Sequence, residues 1–220
     1  MNNTPHTNCL TLRLLHAAKG YKAVAFDIFD TLLKRDCAHP ADLFALMEVT
    51  HQAALGFAEA RVAAEAETRQ TLGREVTLAE IYAHPALRGT DPAAECAAEL
   101  AMIAPNRPVA QAAEACHARG QKVYAVSDMY LPKEQIEAML QKCGLDFLDG
   151  VFVSCEYGVQ KRSGKLFKLF CSKLPCARRK SCLWGIAPAR ILSGQRWRVS
   201  AAFCCRSQPR CHTPKTRRMP

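Results

Sequence analysis

Two carboxylates follow a short apolar run near the start of the chain, in the order Phe26-Asp27-Ile28-Phe29-Asp30-Thr31. The run Ala23–Phe26 is short and contains Val and Phe, which predicts a buried parallel strand. Open α/β sheets bind ligands at the carboxyl ends of their strands, so both carboxylates would lie where a ligand binds. One could attack phosphorus while the other transfers a proton to the leaving group. Alternatively, Asp30 or Thr31 only caps a helix.

Strand and helix signals alternate along the chain, around one segment that is helical throughout. Further strands are predicted at 122–126 and 151–153, and helices at 9–16, 108–119, 132–142 and 164–174. Four short helices are predicted in between, at 42–56, 58–72, 78–84 and 92–103, with Asp42, Thr77 and Asp91 as N-caps. The alternation predicts an α/β fold, a doubly wound parallel sheet with an inserted α-helical segment after the first strand.

The charge of the chain is unevenly distributed. The net charge is +10, yet residues 171–220 contain 12 Lys and Arg and neither Asp nor Glu. The remaining residues therefore carry 18 basic and 20 acidic side chains, a net charge of −2. Six of the 12 cysteines also lie in residues 171–220. Two different compositions are joined in one chain, and the basic character belongs to the tail.

No segment of the sequence predicts a membrane anchor. The chain has no run of 18 or more apolar residues, and the stretch Cys9–His16 is too short and too interrupted by charge for a secretory signal. We therefore expect a cytoplasmic protein without a membrane partner.

The segment Asp27–Thr31 resembles motif I of the haloacid dehalogenase (HAD) superfamily, Asp-x-Asp-x-Thr. The resemblance implies that Asp27 is the nucleophile and that Thr31 is its partner at the start of a helix. The acid/base Asp of the family's phosphatases stands two residues after the nucleophile, where this chain has Phe29, a feature similar to the dehalogenase branch. Asp30 would then transfer protons or cap the helix, and the cap is the favoured alternative.

Two further segments are similar to the motifs that follow in the superfamily. Val123–Asp128 resembles motif II, which implies that the Ser127 hydroxyl holds a transferred phosphoryl oxygen. Lys161, ahead of the helix that contains Phe167, resembles the lysine of motif III and would offset negative charge. Lys165 is the alternative lysine. Thr31 and Asp128 are assigned to substrate binding.

The resemblance also implies a cap, a substrate class and a metal ion. Residues 37–104 lie where the family's first type of cap is inserted, and such a cap selects substrate and expels water when it closes. Phe26–Leu33 together with Ser127–Pro132 resembles a branch found beside sugar-transferring enzymes, which suggests a small, sugar-related phosphorylated substrate. Mg²⁺ would bridge the Asp27 carboxylate and the Phe29 backbone carbonyl.

The acidic motif IV of the superfamily is missing, because no Asp or Glu follows Glu156. We hypothesise that the tail is translated in a displaced reading frame. If codons start at the third base, Trp184-Gly185 must give Gly, and residues 180–191 permit Ile-Leu-Phe-Val-Gly-Asp-Ser-Pro-Arg-Ala-Asp. This is an apolar strand followed by Gly-Asp and a second Asp five places later, as in motif IV.

The alternative is that the tail is a genuine basic module. Zinc binding is disfavoured because the cysteines form no Cys-x₂-Cys pair, and nucleic-acid binding because few aromatic residues are interleaved with the arginines. The loss of motif IV predicts that residues 175–220 are irregular and that the motif I strand has an unpaired edge.

These observations predict a HAD-like core formed by residues 1–36 and 105–174, a helical cap at 37–104 and an irregular tail at 175–220. The expected activity is Mg²⁺-dependent hydrolysis of a small phosphomonoester through an aspartyl-phosphate, impaired by the missing motif IV. A dehalogenase-like hydrolase and a non-catalytic remnant are the alternatives.

Overall fold

The computed structural model describes residues 9–173 and the backbone of residues 182–186. The strands in these ranges are β1 (Ala23–Phe26), β2 (Leu33–Arg35), β3 (Ile103–Pro105), β4 (Lys122–Ser127), β5 (Gly150–Val153) and β6 (Cys182–Ile186). The α-helices are α1 (Cys9–Ala18), α2 (Asp42–Val49), α3 (Phe57–Leu72), α4 (Leu78–Tyr82), α5 (Pro92–Met102), α6 (Arg107–Ala118), α7 (Lys133–Lys142) and α8 (Lys165–Lys173). Two short 3₁₀ helices lie at Pro85–Leu87 and Ser154–Tyr157.

Four strands form a parallel sheet in the order β5-β4-β1-β6. In the register between the central strands, Phe26 of β1 lies opposite Ala125 of β4. All four residues of β1 are buried, as expected for a strand inside a parallel sheet. The crossover connections and the parallel strands confirm the predicted α/β fold, and the carboxyl ends of all four strands open at one edge.

Helices cover both faces of the sheet. Successive side chains of a strand point to opposite faces, and in these strands both sets are apolar. Val24 and Phe26 pack in a large cluster with apolar residues of α1, α6 and α7. Ala23, Ala25 and Val126 pack on the opposite face with Phe170 of α8. With both faces buried, only the edge at the strand ends is left for a ligand.

The helical insertion lies between β2 and β3, which pair antiparallel at its base. Its apolar residues, among them Phe44, Met47 and Ile81, belong to the same cluster as Val24 and Phe26 of the sheet. The apolar interior of the insertion is therefore continuous with the apolar cluster on that side of the sheet. No sequence signal predicted β2 and β3, which are only three residues long each.

Two of the three predicted helix caps are confirmed. The Thr77 hydroxyl accepts from the backbone N–H of Glu80 in a reciprocal capping box, and the Asp91 carboxylate accepts from Ala93. The prediction for Asp42 is wrong, because Ala41 is the N-cap and Asp42 is the first residue of α2. The Asp42 carboxylate accepts instead from the backbone of His39 in the preceding turn, 2.7 Å away.

The expectation that the motif I strand has an unpaired edge is wrong. Strand β6 lies parallel beside β1, with Ala23 opposite Cys182 and Phe26 opposite Ile186 after a register shift. The physical reason is that the outer N–H and C=O groups of β1 require partners, and the segment from Cys182 contains residues that favour strands. The rest of the predicted irregular region, residues 175–181 and 187–220, lies outside the described residues.

Among the helices in the described part of the chain, none is both long and apolar enough to span a bilayer.

Candidate active site

Asp27 is the first residue after β1, at the edge where the parallel strands end. Its Oδ1 accepts a hydrogen bond from the backbone N–H of Ile28 at 2.9 Å and another from the ammonium of Lys161. The Asp27 side chain remains 22% exposed and that of Lys161 18% exposed. The carboxylate is thus oriented by two donors and is still accessible to a small molecule.

Lys161 lies in the turn that connects β5 to α8 and is 134 residues from Asp27 in sequence. Its backbone N–H donates to Oδ1 of Asp128 at 2.8 Å, and its ammonium contacts Asp27. One lysine therefore joins the loops that follow β1 and β4. Lys165, the alternative lysine, is the exposed first residue of α8.

Ser127 is the last residue of β4 and is buried. Because Phe26 lies opposite Ala125 in the register, Ser127 ends its strand at the same edge as Asp27. The structure thus brings the strand ends of motifs I and II side by side. The phosphoryl-binding role of Ser127 stays a prediction.

The turn after β1 contains no helix, so the prediction that Asp30 or Thr31 caps one is wrong. Residues 28–32 form a turn that leads directly into β2. Asp30 is exposed and has a backbone φ of 57°, in the left-handed region, which Asp tolerates better than most residues with a Cβ. The steric demand of this turn, rather than a helix start, accounts for a small polar residue at this position. Proton transfer by Asp30 stays a prediction.

Thr31 is fully buried beneath the turn. Its carbonyl accepts a hydrogen bond from the side-chain amide of Asn106 at 2.7 Å, whereas its hydroxyl has no partner among the described residues. Asn106 also donates from its backbone to Leu32 at 2.8 Å. The assignment of Thr31 to substrate binding stays a prediction, and Asn106 is the residue that holds this turn in place.

A second pair of contacts, which the sequence did not reveal, connects the loops after β4 and β5. The Ser154 hydroxyl accepts from the N–H of Met129 at 2.9 Å and donates to its carbonyl at 3.3 Å. The thiol of Cys155 donates to the carbonyl of Leu131 at 3.3 Å. The only signal of these contacts was the position of Ser154 directly after a predicted strand.

The insertion contacts the turn of motif I through Arg35. Its guanidinium lies 4.1 Å from the ring centroid of Phe29 and forms two hydrogen bonds with Glu99 of α5. This side of Phe29 is therefore covered by a cation that α5 holds in place. An aromatic side chain occupies the place where a phosphatase of the superfamily would have its acid/base carboxylate.

The charges around Asp128 affect its protonation. Burial raises the pKa of Asp128 although part of its side chain is exposed, and the hydrogen bond and positive charge of Lys161 oppose this rise. The negative charges of Glu75 and Asp27 add to the rise. The hydrogen bond and charge of Lys161 thus favour the ionised form of Asp128.

Comparison with known families identifies the class of protein. The family model described as a haloacid dehalogenase-like hydrolase matches residues 21–185, so the chain belongs to this family. The match includes β1, the insertion, strands β4 and β5, and the turn that contains Lys161. The chain is therefore a HAD-family hydrolase by its fold and sequence, which confirms the predicted family.

Solved structures with this fold include both dehalogenases and phosphatases. The L-2-haloacid dehalogenase from Xanthobacter autotrophicus is 18% identical, with 74% of this chain and 69% of that chain covered and a TM-score of 0.47. The HAD-hydrolase YfnB from Bacillus subtilis, solved with magnesium, is 16% identical, with 75% and 80% covered and a TM-score of 0.47. A protein assigned as a phosphoglycolate phosphatase from Lactobacillus delbrueckii is 17% identical, with 74% and 77% covered and a TM-score of 0.44. The likeness at these identities concerns the fold alone. No curated protein matches the sequence.

HAD-family hydrolases generally use Mg²⁺, and the described residues of this chain show only part of a site for it. Mg²⁺ requires near-octahedral oxygen coordination, usually with one or two carboxylates. In the described part of the chain, no group of three or more His, Cys, Asp or Glu side chains could hold a metal ion. Residues 157–220 contain neither Asp nor Glu. Asp27 and the Phe29 carbonyl would thus gain no acidic ligand from residues 157–220, and Oδ1 of Asp27 already accepts from the Lys161 ammonium.

Proposed function

We propose that the chain is a hydrolase of small phosphomonoesters in which Asp27 is the nucleophile. A carboxylate oxygen of Asp27 attacks phosphorus, the bond to the leaving oxygen breaks, and an aspartyl-phosphate forms. Water then attacks this intermediate, which releases inorganic phosphate and restores the carboxylate. The observation that carries the proposal is the contact between Asp27 and Lys161 at the carboxyl edge of the sheet.

The cation beside the nucleophile addresses the main electrostatic obstacle of this reaction. A carboxylate and a phosphate dianion repel each other, and an ammonium group fixed between them offsets that repulsion without reorganisation. Lys161 is partly buried, so water screens its charge less than it would at the surface. The hydroxyl of Ser127, at the neighbouring strand end, would donate to a phosphoryl oxygen.

The turn after Asp27 limits which leaving groups can depart. Phe29 cannot donate a proton, and Asp30 is exposed in a left-handed turn. Substrates whose leaving group departs without protonation, such as aryl and acyl phosphates, should therefore be hydrolysed best. Turnover should be weak, because the metal that the family generally uses lacks a complete set of ligands here.

The test is hydrolysis of p-nitrophenyl phosphate by the full chain, with added Mg²⁺ and with EDTA. We expect slow release of p-nitrophenol that disappears in Asp27→Asn. The matched control is Asp146→Asn, an exposed carboxylate in the loop before β5, at the opposite edge of the sheet. Release that persists in Asp27→Asn would contradict the proposal, and release that Mg²⁺ strongly stimulates would show that the chain still assembles a metal site.

A second candidate function is a dehalogenase-like reaction, favoured by the aromatic residue at position 29. Attack of Asp27 on a carbon that bears a halogen expels a halide ion, which requires neither a proton donor nor a metal. Incubation with 2-chloropropionate and measurement of chloride tests this candidate. Chloride release lost in Asp27→Asn, with no hydrolysis of the aryl phosphate, would favour it over the phosphatase. Hydrolysis of neither substrate would point to the third alternative, a non-catalytic remnant.

A further inference from the structure

Lys161 has no helix or strand to fix its backbone, yet its ammonium reaches Asp27. The residue begins the turn 161–164, and its carbonyl accepts from the N–H of Gly164 at 2.8 Å within that turn. Its own backbone N–H is held from outside the turn, by Oδ1 of Asp128 at 2.8 Å. A long lysine side chain reaches a fixed target only when its backbone is held in place.

Asp128 is well placed to provide that anchor. It follows β4 directly, and β4 lies beside β1, the strand that presents Asp27. The anchor and the nucleophile therefore come from neighbouring strands whose register is fixed along four residue pairs. The next residue is also held, because the N–H of Met129 donates to the Ser154 hydroxyl at 2.9 Å.

We propose that Asp128 is the positioning residue of Lys161, with a carboxylate that holds the lysine backbone so that its ammonium meets Asp27. This inference deepens the proposed function and rests on it. It replaces the assignment of Asp128 to substrate binding with a role exerted through another residue. Oδ1 is already engaged by Lys161, which leaves less of the carboxylate for a substrate.

The two roles differ in what substitutions do. A positioning residue needs only an oxygen acceptor, which Asn retains and Ala lacks. A residue that transfers protons would fail as Asn, and one that binds substrate would raise KM with kcat unchanged. We therefore expect Asp128→Asn to keep kcat for p-nitrophenyl phosphate within about twofold, and Asp128→Ala to lower kcat about tenfold or more, because small misplacements of a catalytic group are costly.

A double-mutant cycle checks that the effect passes through the lysine. In Lys161→Met, the further change Asp128→Ala should alter kcat by less than about twofold, because the group to be positioned is gone. Asp149→Ala is the matched control. That carboxylate also accepts from a backbone N–H, of Val123 at 2.8 Å, and from the ammonium of Lys122, at the amino ends of the strands. Equal losses in Asp128→Asn and Asp128→Ala, or full additivity in the cycle, would overturn the proposal.

A readout independent of turnover separates this inference from the proposed function. Reductive ¹³C-methylation of the lysines gives one dimethylamine signal for Lys161, assigned by its loss in Lys161→Arg. We expect Asp27→Asn and Asp128→Ala to shift that signal, Asp128→Asn to shift it much less than Asp128→Ala because only the charge is lost, and Asp149→Ala to leave it unchanged. A Lys161 signal unaffected by Asp128→Ala would refute the positioning role even in an active enzyme. Activity that survives Asp27→Asn, with the shifts as expected, would refute only the phosphatase.

Discussion

The guanidinium of Arg61, in the insertion, lies 4.7 Å from the ring centroid of Tyr130. Tyr130 is in the loop after β4, two residues after Asp128. The guanidinium is fully buried and forms two hydrogen bonds with Glu95 of α5, at 2.6 and 2.9 Å. The backbone carbonyl of Tyr130 also accepts from the N–H of Leu78, in the insertion. The insertion and the loop after β4 are thus joined by a cation–π contact from a buried, paired guanidinium and by a backbone hydrogen bond.

Removal of one partner of this buried pair should destabilise the protein strongly. Arg61→Met leaves the carboxylate of Glu95 buried without its cation, a defect that typically costs about 3–5 kcal/mol of unfolding free energy. Urea unfolding followed by circular dichroism measures the change. Arg74→Met is the control, because the pair of Arg74 with Glu80 is 43% and 32% exposed and should contribute far less to the unfolding free energy. Similar losses in the two variants would contradict this account.

Replacement of Lys161 should affect catalysis far more than stability. Lys161→Met removes the ammonium beside Asp27, and loss of one such electrostatic donor typically lowers kcat about 10²–10³-fold. The measurement is the hydrolysis of p-nitrophenyl phosphate under saturating substrate. Lys165→Met, at the exposed start of α8, should change kcat little. A large loss in Lys165→Met with little change in Lys161→Met would show that Lys165, and not Lys161, is the cation of the site.

Because position 29 has no acidic side chain, kcat/KM should depend steeply on the pKa of the leaving group. General acid catalysis contributes about 10²–10⁴-fold to the departure of a basic leaving group. We expect p-nitrophenyl phosphate to be hydrolysed at least about 10²-fold faster than an alkyl phosphate of similar size. The measurement is kcat/KM for a series of phosphates ordered by leaving-group pKa. A flat series would mean that another group of the site supplies the proton.

The reciprocal cap at Thr77 should make stability depend on pH in the acid range. Hydrogen bonds from Arg74 and from the backbone of Thr77 lower the pKa of Glu80 from 4.5 to about 2 in the folded protein. Since the folded pKa is depressed, the stabilisation is present above pH 4.5 and is lost as the pH falls towards 2. Solvent screening reduces its size, because the Glu80 side chain is 32% exposed.

The measurement for this cap is the unfolding free energy of Glu80→Gln and of the unaltered protein at about pH 6 and about pH 2.5. The difference between the two proteins should shrink at the lower pH. Glu114→Gln, an exposed position of α6, is the control and should change stability little at either pH. A difference that is constant with pH would exclude ionisation of Glu80 as its source.

The displaced reading frame predicts a gain of metal binding when the frame is restored. A gene engineered so that codons after residue 179 start at the third base should encode the Gly-Asp segment, and its product should bind Mg²⁺ in isothermal titration calorimetry. The 220-residue chain should bind Mg²⁺ much more weakly. The nucleotide sequence provides a simpler check. Relatives that match this chain in frame through Pro220 would end the hypothesis.

The sequence predicted those helices and strands that are determined by interactions between residues close together in the chain. The bounds of β1 coincide with the predicted strand because a four-residue apolar run that contains Val and Phe is too short for a helix and suits a buried strand. The helix starts at Thr77 and Asp91 were also predicted, since side chains that accept from their own helix act locally. By contrast, β2 and β3 form by pairing with each other across the whole insertion, which no local pattern shows.

The site was predicted in its residues but not in its contacts. The resemblance to known motifs selected Asp27 and Lys161, whereas their direct contact joins residues 134 positions apart. The error at Asp30 arose because a polar residue after a strand indicates a helix cap as readily as a left-handed turn. The roles of Asn106 and Ser154 depend on side-chain bonds to distant backbone groups, which spacing in the sequence does not reveal.

Strand β6 runs in the same direction as β1 and ends opposite Phe26, the residue before Asp27. Its last residue, Ile186, therefore lies at the carboxyl edge of the sheet, one position before the level of Asp27. Because β6 lies within residues 175–220, this region supplies the backbone partner of the strand that presents Asp27.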